Sequence, residues 1–272
     1  MSQQPEATSL LGKPLFAPPL QDADQKRMEA DRAAAFQKAS GEPSAENIIW
    51  LGRRTAYLGR FREAIQVFSG GLRLYPDDPR FFRHRGHRFI SVREFDGAIA
   101  DLERAASLIK GQPDEVEPDG QPNARNTPTS TLHTNIWYHL ALARYLKGDY
   151  GRSADDWART KAAGKNADNL VSSTHWLYTT LRRAGRQSEA TAALEPIKSG
   201  LDVIENGSYY SLVQLYKGLK TEAEVLNGAG SGSAATAVRY GVSAWYLANG
   251  RRDEATQMWD RILAGPDWPS FG

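Results

Sequence analysis

The residues in this sequence best suited to chemistry are cationic and aromatic, and they recur in short runs. The densest is PRFFRHRGHRF, 79–89, with Arg80, Arg83, His84 and His87. Upstream, IIWLGRR brings Trp50 and Arg53. Downstream, NIWYHL brings Asn135, Tyr138 and His139, and THWLYTTLRR brings His175, Trp176, Thr179 and Arg182. A guanidinium grips a carboxylate through paired N–H bonds, and aromatic faces attract and stack. Arg53, Arg83 and Arg182 are therefore candidates for anion recognition, with Trp50 and Trp176 stacking on whatever is bound. Metal binding is the competing chemistry. His84 and His87 stand three apart, a workable ligand spacing on one helix face, and His139 and His175 bring the set to four. Arg83 and Arg85 flank them, however, and a cation beside two guanidiniums is disfavoured, so no metal or cofactor is assigned. The plainest alternative is that these side chains hydrate a polar face, with His84 or His175 packed in neutral form.

Other chemistry has little footing. The sequence has no phosphate-binding P-loop, no G-x-G-x-x-G after a strand, no G-x-S-x-G and no H-E-x-x-H. The run Asn-Gly-Ala-Gly-Ser-Gly-Ser, 227–233, has no strand before it and reads as a flexible linker. The acidic pairs Asp77/Asp78 and Asp155/Asp156 are expected at helix ends or exposed faces. The chain has no cysteine, which removes disulfides, thiolate metal sites and cysteine nucleophiles. Its 34 basic and 32 acidic residues leave a net charge of +2 with no basic block, so nucleic acid is not an expected partner. No apolar run approaches the roughly 18 residues of a membrane span. The N-terminal stretch has neither a basic region nor a long apolar core, so it is not an uncleaved signal peptide; it fits the start of a mature exported chain.

The elements that position these residues follow from a repeat. Residues 1–20 are rich in Pro, Gln and Ser and are expected to be extended. Leu10, Leu11, Leu15, Phe16 and Leu20 should lie against the folded surface. From Gln21 the pattern turns helical. Gly52, Phe61 and Ala64 then recur as Gly86, Phe95 and Ala98, thirty-four residues on. A small residue in the first helix lets the second approach. Alanine early in the second helix, with Phe68 or Leu102 four residues later, fills the same face. Further copies run through Trp137, Leu140, Ala141, Gly148, Tyr150 and Trp157; Leu177, Gly185, Ala190 and Leu194; Tyr210, Gly218 and Ala223; and Val242, Tyr246, Gly250, Ala255 and Trp259. The predicted turns fall at 59, 93, 148, 185, 218 and 250. Only the interval from 93 to 148 is too long. Its surplus is the proline-bearing segment 112–133, expected to fold back near His84 and His139.

From Ile48 to Leu263 the sequence resembles the tetratricopeptide repeat family. Stretches such as IWLGRRTAYLGRFREAI and RFFRHRGHRFISVREFDGAIADLERA also resemble a bacterial group of such proteins, whose members often begin with an export signal; this suggests a periplasmic or secreted location, with a cytoplasmic one the alternative. The resemblance implies an all-α, right-handed helical-hairpin solenoid over 21–272. Its hairpins are expected at 45–78, 79–111, 134–167, 171–203, 204–229 and 235–264, with 112–133 inserted. It also implies a concave groove lined by the first helix of each hairpin. On that phase Arg53, Arg80, Arg83, His84, His87, Tyr138, His139, His175, Trp176 and Arg182 face the groove. Truncating Arg83 or Trp176 is then expected to leave the melting temperature unchanged. The function implied is a non-enzymatic scaffold or adaptor that clamps a protein or peptide partner, with acidic character matching the arginines. The alternatives are a structural subunit of an envelope or filament complex, and a small-ligand binder or enzyme using the groove His and Arg. At the C-terminus, Trp268 and Phe271 are expected to fold back over the last helix; the alternative is that this end is a docking face for another subunit.

Overall fold

A computed structural model describes residues 4–17 and 19–267. The chain is all-α apart from one small N-terminal hairpin, and its helices divide into two compact units. The first unit holds β1 (Ala7–Thr8), β2 (Pro14–Leu15), α1 (Asp22–Gly41), α2 (Ala45–Tyr57), α3 (Phe61–Leu74), α4 (Pro79–Ser91), α5 (Phe95–Leu108) and α6 (Leu132–Leu146), together with the loop to Gln121. The second holds residues 122–130 and α7 (Tyr150–Ala163), α8 (Ala167–Arg183), α9 (Gln187–Ala193), α10 (Gly207–Tyr216), α11 (Glu222–Asn227), α12 (Gly232–Ala248) and α13 (Arg252–Ala264). No described helix is long and apolar enough to cross a membrane.

The N-terminal segment is a tight antiparallel pair, Ala7 opposite Leu15, closed by a turn at Gly12 (φ 74°). Leu15 is buried, and Glu6 accepts hydrogen bonds from the Arg62 backbone and guanidinium. The expectation that Leu10, Leu11 and Phe16 lie on the fold is corrected. The turn carries Leu10 and Leu11 outward, and Phe16 is also exposed.

In the first unit the repeat acts as its spacing requires. Ala64 and Ala98 are fully buried, as are Phe68 and Leu102 one turn later. The glycines opposite them are there for close approach. A Cβ on Gly52 would stand 2.2 Å from the Phe68 ring, and one on Gly86 would stand 2.7 Å from Leu102 Cγ. With no space beside it, Ala98→Leu is expected to cost about 1–3 kcal/mol by overpacking. Urea denaturation measures this, and an unchanged midpoint would contradict the packing. Ser44, Asp78 and Thr131 cap α2, α4 and α6 with their side-chain oxygens, and Pro79 opens α4 where its missing N–H is not needed.

All six predicted turn residues adopt the left-handed conformation, from Arg93 at φ 66° to Gly148 at 80°. Arg93 is the one without glycine. Its guanidinium donates to the Ile90 and Ser91 carbonyls.

In the second unit α8 is the central helix, packed by α7, α9, α10 and α12. Asp168 near its start is buried and accepts the backbone N–H groups of Ile204, Glu205 and Asn206 at 2.8–2.9 Å, which pins the loop before α10. Three expectations fail here. Ala223 is exposed, and Val225 takes the buried small-residue place, because α11 has only six residues set by the Thr221/Glu224 capping box. The glycine–serine run is a short turn, since Gly232 and Ser233 already begin α12. Asp156 is fully buried, with its carboxylate 2.7 Å from the Arg159 guanidinium. Trp259 and Ile262 of α13 pack half-buried on the cluster of Leu212, Val225, Val242 and Met258. The Trp268 and Phe271 fold-back lies outside the described residues.

Candidate functional site

In the first unit α2, α4 and α6 lie side by side. They bring together Arg53, Arg80, Arg83, His84, His87, Tyr138 and His139. The segment 112–133 folds back near His84 as its position in the repeat led us to expect. Residues 114–120, Asp-Glu-Val-Glu-Pro-Asp-Gly, form a strap over the three helices. Val116 makes an antiparallel bridge with Thr131, and the Leu132 N–H donates to the Glu115 carbonyl. The Arg53 guanidinium donates to the Pro118 carbonyl at 2.7 Å, and Arg54 donates to that of Gly120 at 3.1 Å. Gly120 sits so close to Tyr57 that a Cβ would fall 2.0 Å from the phenol oxygen.

Glu117 is the centre of the contact. One carboxylate oxygen lies 2.9 Å from Arg83 Nη2, and the other accepts from the Asn135 amide at 3.0 Å. Arg83 is only 6% exposed. Its Nη1 lies 3.1 Å from His84 Nδ1. A guanidinium only donates, so Nδ1 accepts and the His84 proton sits on Nε2, which is 4.0 Å from Glu117. The His139 Nδ1 is 2.6 Å from the Asn135 carbonyl, which only accepts, so there the proton sits on Nδ1. The His87 and His139 rings meet at 4.0 Å between centroids, and His84 stacks on Phe68. Burial, followed by the charges of the neighbouring arginines, holds His84, His87 and His139 well below the ordinary histidine range. All three are neutral near pH 7. Arg88, one turn beyond His84, is pushed down to about 9 by burial and by Arg83 and Arg53.

At the rim, Arg53 lies 4.3 Å above the Trp50 ring, and Arg80 is held by Asp78 and Glu46. Both line a cavity of about 150 Å³ beside Val116 and Glu117. Tyr138 is half-buried against His139. Among the described residues no three His, Cys, Asp or Glu side chains are grouped as a metal site.

His175, Trp176 and Arg182 belong to the second unit. Trp176 is 2% exposed and stacks on Trp157 at 5.7 Å with the ring planes 8° apart. The expectation that its truncation leaves stability unchanged is therefore corrected: the ring is core. Arg83 is corrected likewise, since its truncation would strand Glu117. His175 is buried between Trp176, Tyr209 and Tyr216, with Nδ1 3.1 Å from the Tyr216 hydroxyl, which donates to the Gly241 carbonyl. Burial pushes it down to about 3. Arg182 donates to the Tyr178 hydroxyl and the Ala248 carbonyl.

Sequence reasoning missed Glu117, Arg88 and Tyr57. Arg88 was within reach, because it follows His84 by four residues and shares its helix face. Glu117 carried no local signal.

Paired antiparallel helices with small residues at the crossings, turned by left-handed residues at a near-constant interval, define a helical-hairpin repeat fold of the tetratricopeptide type. The solved structure of YrrB, a TPR protein with an unusual peptide-binding site, superimposes with a TM-score of 0.50 at 13% identity, covering 87% of this chain and 94% of YrrB. MamA superimposes at 0.47 and 16% identity over 65% of this chain and 92% of its own. A Podosopora anserina putative kinesin light chain with nearly identical TPR-like repeats does so at 0.45 and 14%, over 88% and 94%. At such identities the likeness to YrrB is one of fold. The sequence matches no protein-family model and no curated protein.

Proposed function

We propose that the first unit is a binding platform for an extended, acidic segment of a partner protein, and that its work is binding without turnover. The observation that carries this reading is the strap. Residues 115–120 of the chain itself lie in extended form across α2, α4 and α6, held by arginine bonds to backbone carbonyls and by Glu117 on Arg83. A surface that holds an acidic segment from its own chain has the donors to hold one from another. Arg53 and Arg80 at the rim, Arg83, His84, His87 and His139 beneath, and Tyr138 alongside are the residues we assign to it. His175, Trp176 and Arg182 are left to the packing of the second unit. The peptide-binding site of YrrB, on the same fold, is consistent with this use.

In this reading strap and partner compete, so the free platform is only fractionally open. Gly120→Val would push a branched side chain into Tyr57 and lift the strap. Two results are expected. Protease should cut residues 113–121 several-fold faster in the variant. A labelled peptide containing Glu-Val-Glu-Pro-Asp should bind the variant about tenfold more tightly than wild type by fluorescence anisotropy, as expected if the strap suppresses the open state by that factor. A Lys-for-Glu version should not bind. If neither protein binds acidic peptides at millimolar concentration, the platform reading is wrong.

A further inference from the structure

Beneath the strap the charges do not balance. Arg53 from α2, Arg83 and Arg88 from α4, and Glu117 line one cavity of about 120 Å³, walled on its apolar side by Ala56 and Phe68. Three guanidiniums face a single carboxylate. The histidines beside them are neutral and add no charge of either sign. The surplus is therefore formally two positive charges.

The hydrogen-bond pattern shows the same shortage of acceptors. Arg83 Nε is buried with no partner, although the rest of the guanidinium is bonded to Glu117 and His84. Among the described residues Arg88 has no carboxylate and no hydrogen-bond acceptor for its side chain; its one contact of note is the Phe61 ring, 5.3 Å away. Arg53 is satisfied only by neutral oxygens, those of Tyr57 and Pro118. Arg83 is buried and Arg53 and Arg88 are half-buried beside it; cations brought together in this way repel one another and lose part of their hydration, and that cost stands unless an anion offsets it.

We infer that this cavity binds a compact oxyanion carrying two negative charges, of the size of inorganic phosphate or sulfate, held by Arg53, Arg83 and Arg88. A dianion offsets the surplus charge. A tetrahedral oxyanion offers several oxygen edges to planar guanidiniums that approach from different helices. The carboxylate that this geometry accommodates is already there, as Glu117. The site shares Arg53, Arg83 and Glu117 with the peptide platform, and Arg88, which the platform does not use, is what separates the two in the test.

Calorimetric titration of inorganic phosphate, and separately of sulfate, into the full chain at pH 7.5 tests this, with chloride holding the ionic strength constant. One equivalent should bind with a Kd below about 1 mM. Arg88→Gln should weaken binding about tenfold or more while leaving the anion-free protein as stable as wild type or more so, because it removes a cation that has no partner. A merely structural Arg88 would give the opposite stability result. Glu117→Gln, which removes the one repelling charge, should tighten binding about tenfold. Arg152→Gln, on the exposed face of α7, should change nothing. Absence of heat beyond the chloride blank, or wild-type affinity in Arg88→Gln, would overturn the site. If the acidic peptide binds the Gly120→Val protein while phosphate fails to bind wild type, the platform stands and the anion site falls.

Discussion

Lowering the pH from 7 to 5 should destabilise the first unit more than the second, before carboxylate titration accounts for it. His84, His87 and His139 are each held well below the unfolded-state value of about 6.5. The folded form thus stays neutral while the unfolded chain takes up protons. Stability is fully present above about pH 6.5 and is lost as the pH falls below it, by up to about 1.4 kcal/mol per pH unit for each histidine. The three histidines act in the same direction, so the loss accumulates across them. The groups facing them are Arg53 from α2, Arg83 and Arg88 from α4, and Glu117 from the strap. Glu117 acts in the opposite sense at 4.0 Å from His84, and burial and the arginines outweigh it. The second unit carries one histidine of this kind, His175 at about 3, and should lose only about 2 kcal/mol over the same range. Hydrogen exchange at a series of pH values would separate the two. Protection in α2, α4 and α6 that is unchanged between pH 7 and 5 would refute the assignment.

Trp176→Ala should cost about 3–5 kcal/mol, the usual range for removing a large aromatic side chain from a packed interior. The indole is 2% exposed, lies parallel to Trp157 and also meets the Tyr209 and Tyr240 rings. Few rearrangements could refill that volume, because α8 is surrounded by four other helices. Trp176→Phe keeps part of the stack and should cost less than half as much. Chemical denaturation followed by circular dichroism reads both. A loss below about 1 kcal/mol for the alanine variant would place the ring at a surface.

The hairpin fold was legible because its determinants are local. A small residue, a left-handed turn and an alanine at fixed offsets are enough to find it, and the phase located even Arg93, where no glycine marks the turn. The depth of α8 was hidden. Ser172, Ser173, Thr174, Thr179 and Thr180 make it read as a polar, groove-facing helix, yet all five are buried. The hydroxyls of Ser172 and Thr179 donate to the carbonyls of Asp168 and His175, one turn earlier, so these two enter the core already partnered, whereas those of Thr174 and Thr180 are buried without a partner. The arginine–histidine cluster of the first unit was readable for the same reason as the fold, because it repeats on one helix face. Its acidic counterpart was not. Glu117 lies in a stretch without period, and its contacts to Arg83 and Asn135 depend on where the folded helices place those groups.

The position of that acid in the chain has a consequence during synthesis. Arg53, Arg83 and Arg88 leave the ribosome well before Glu117, and the strap can seat fully only once α6 has followed it. Until then α2 and α4 come together with three guanidiniums and no carboxylate among them. Repulsion opposes the last step of their docking. The nascent helices are thus expected to stay slightly apart until the residues that close them have been made, and the first unit to become cooperative only after α6 has followed the strap.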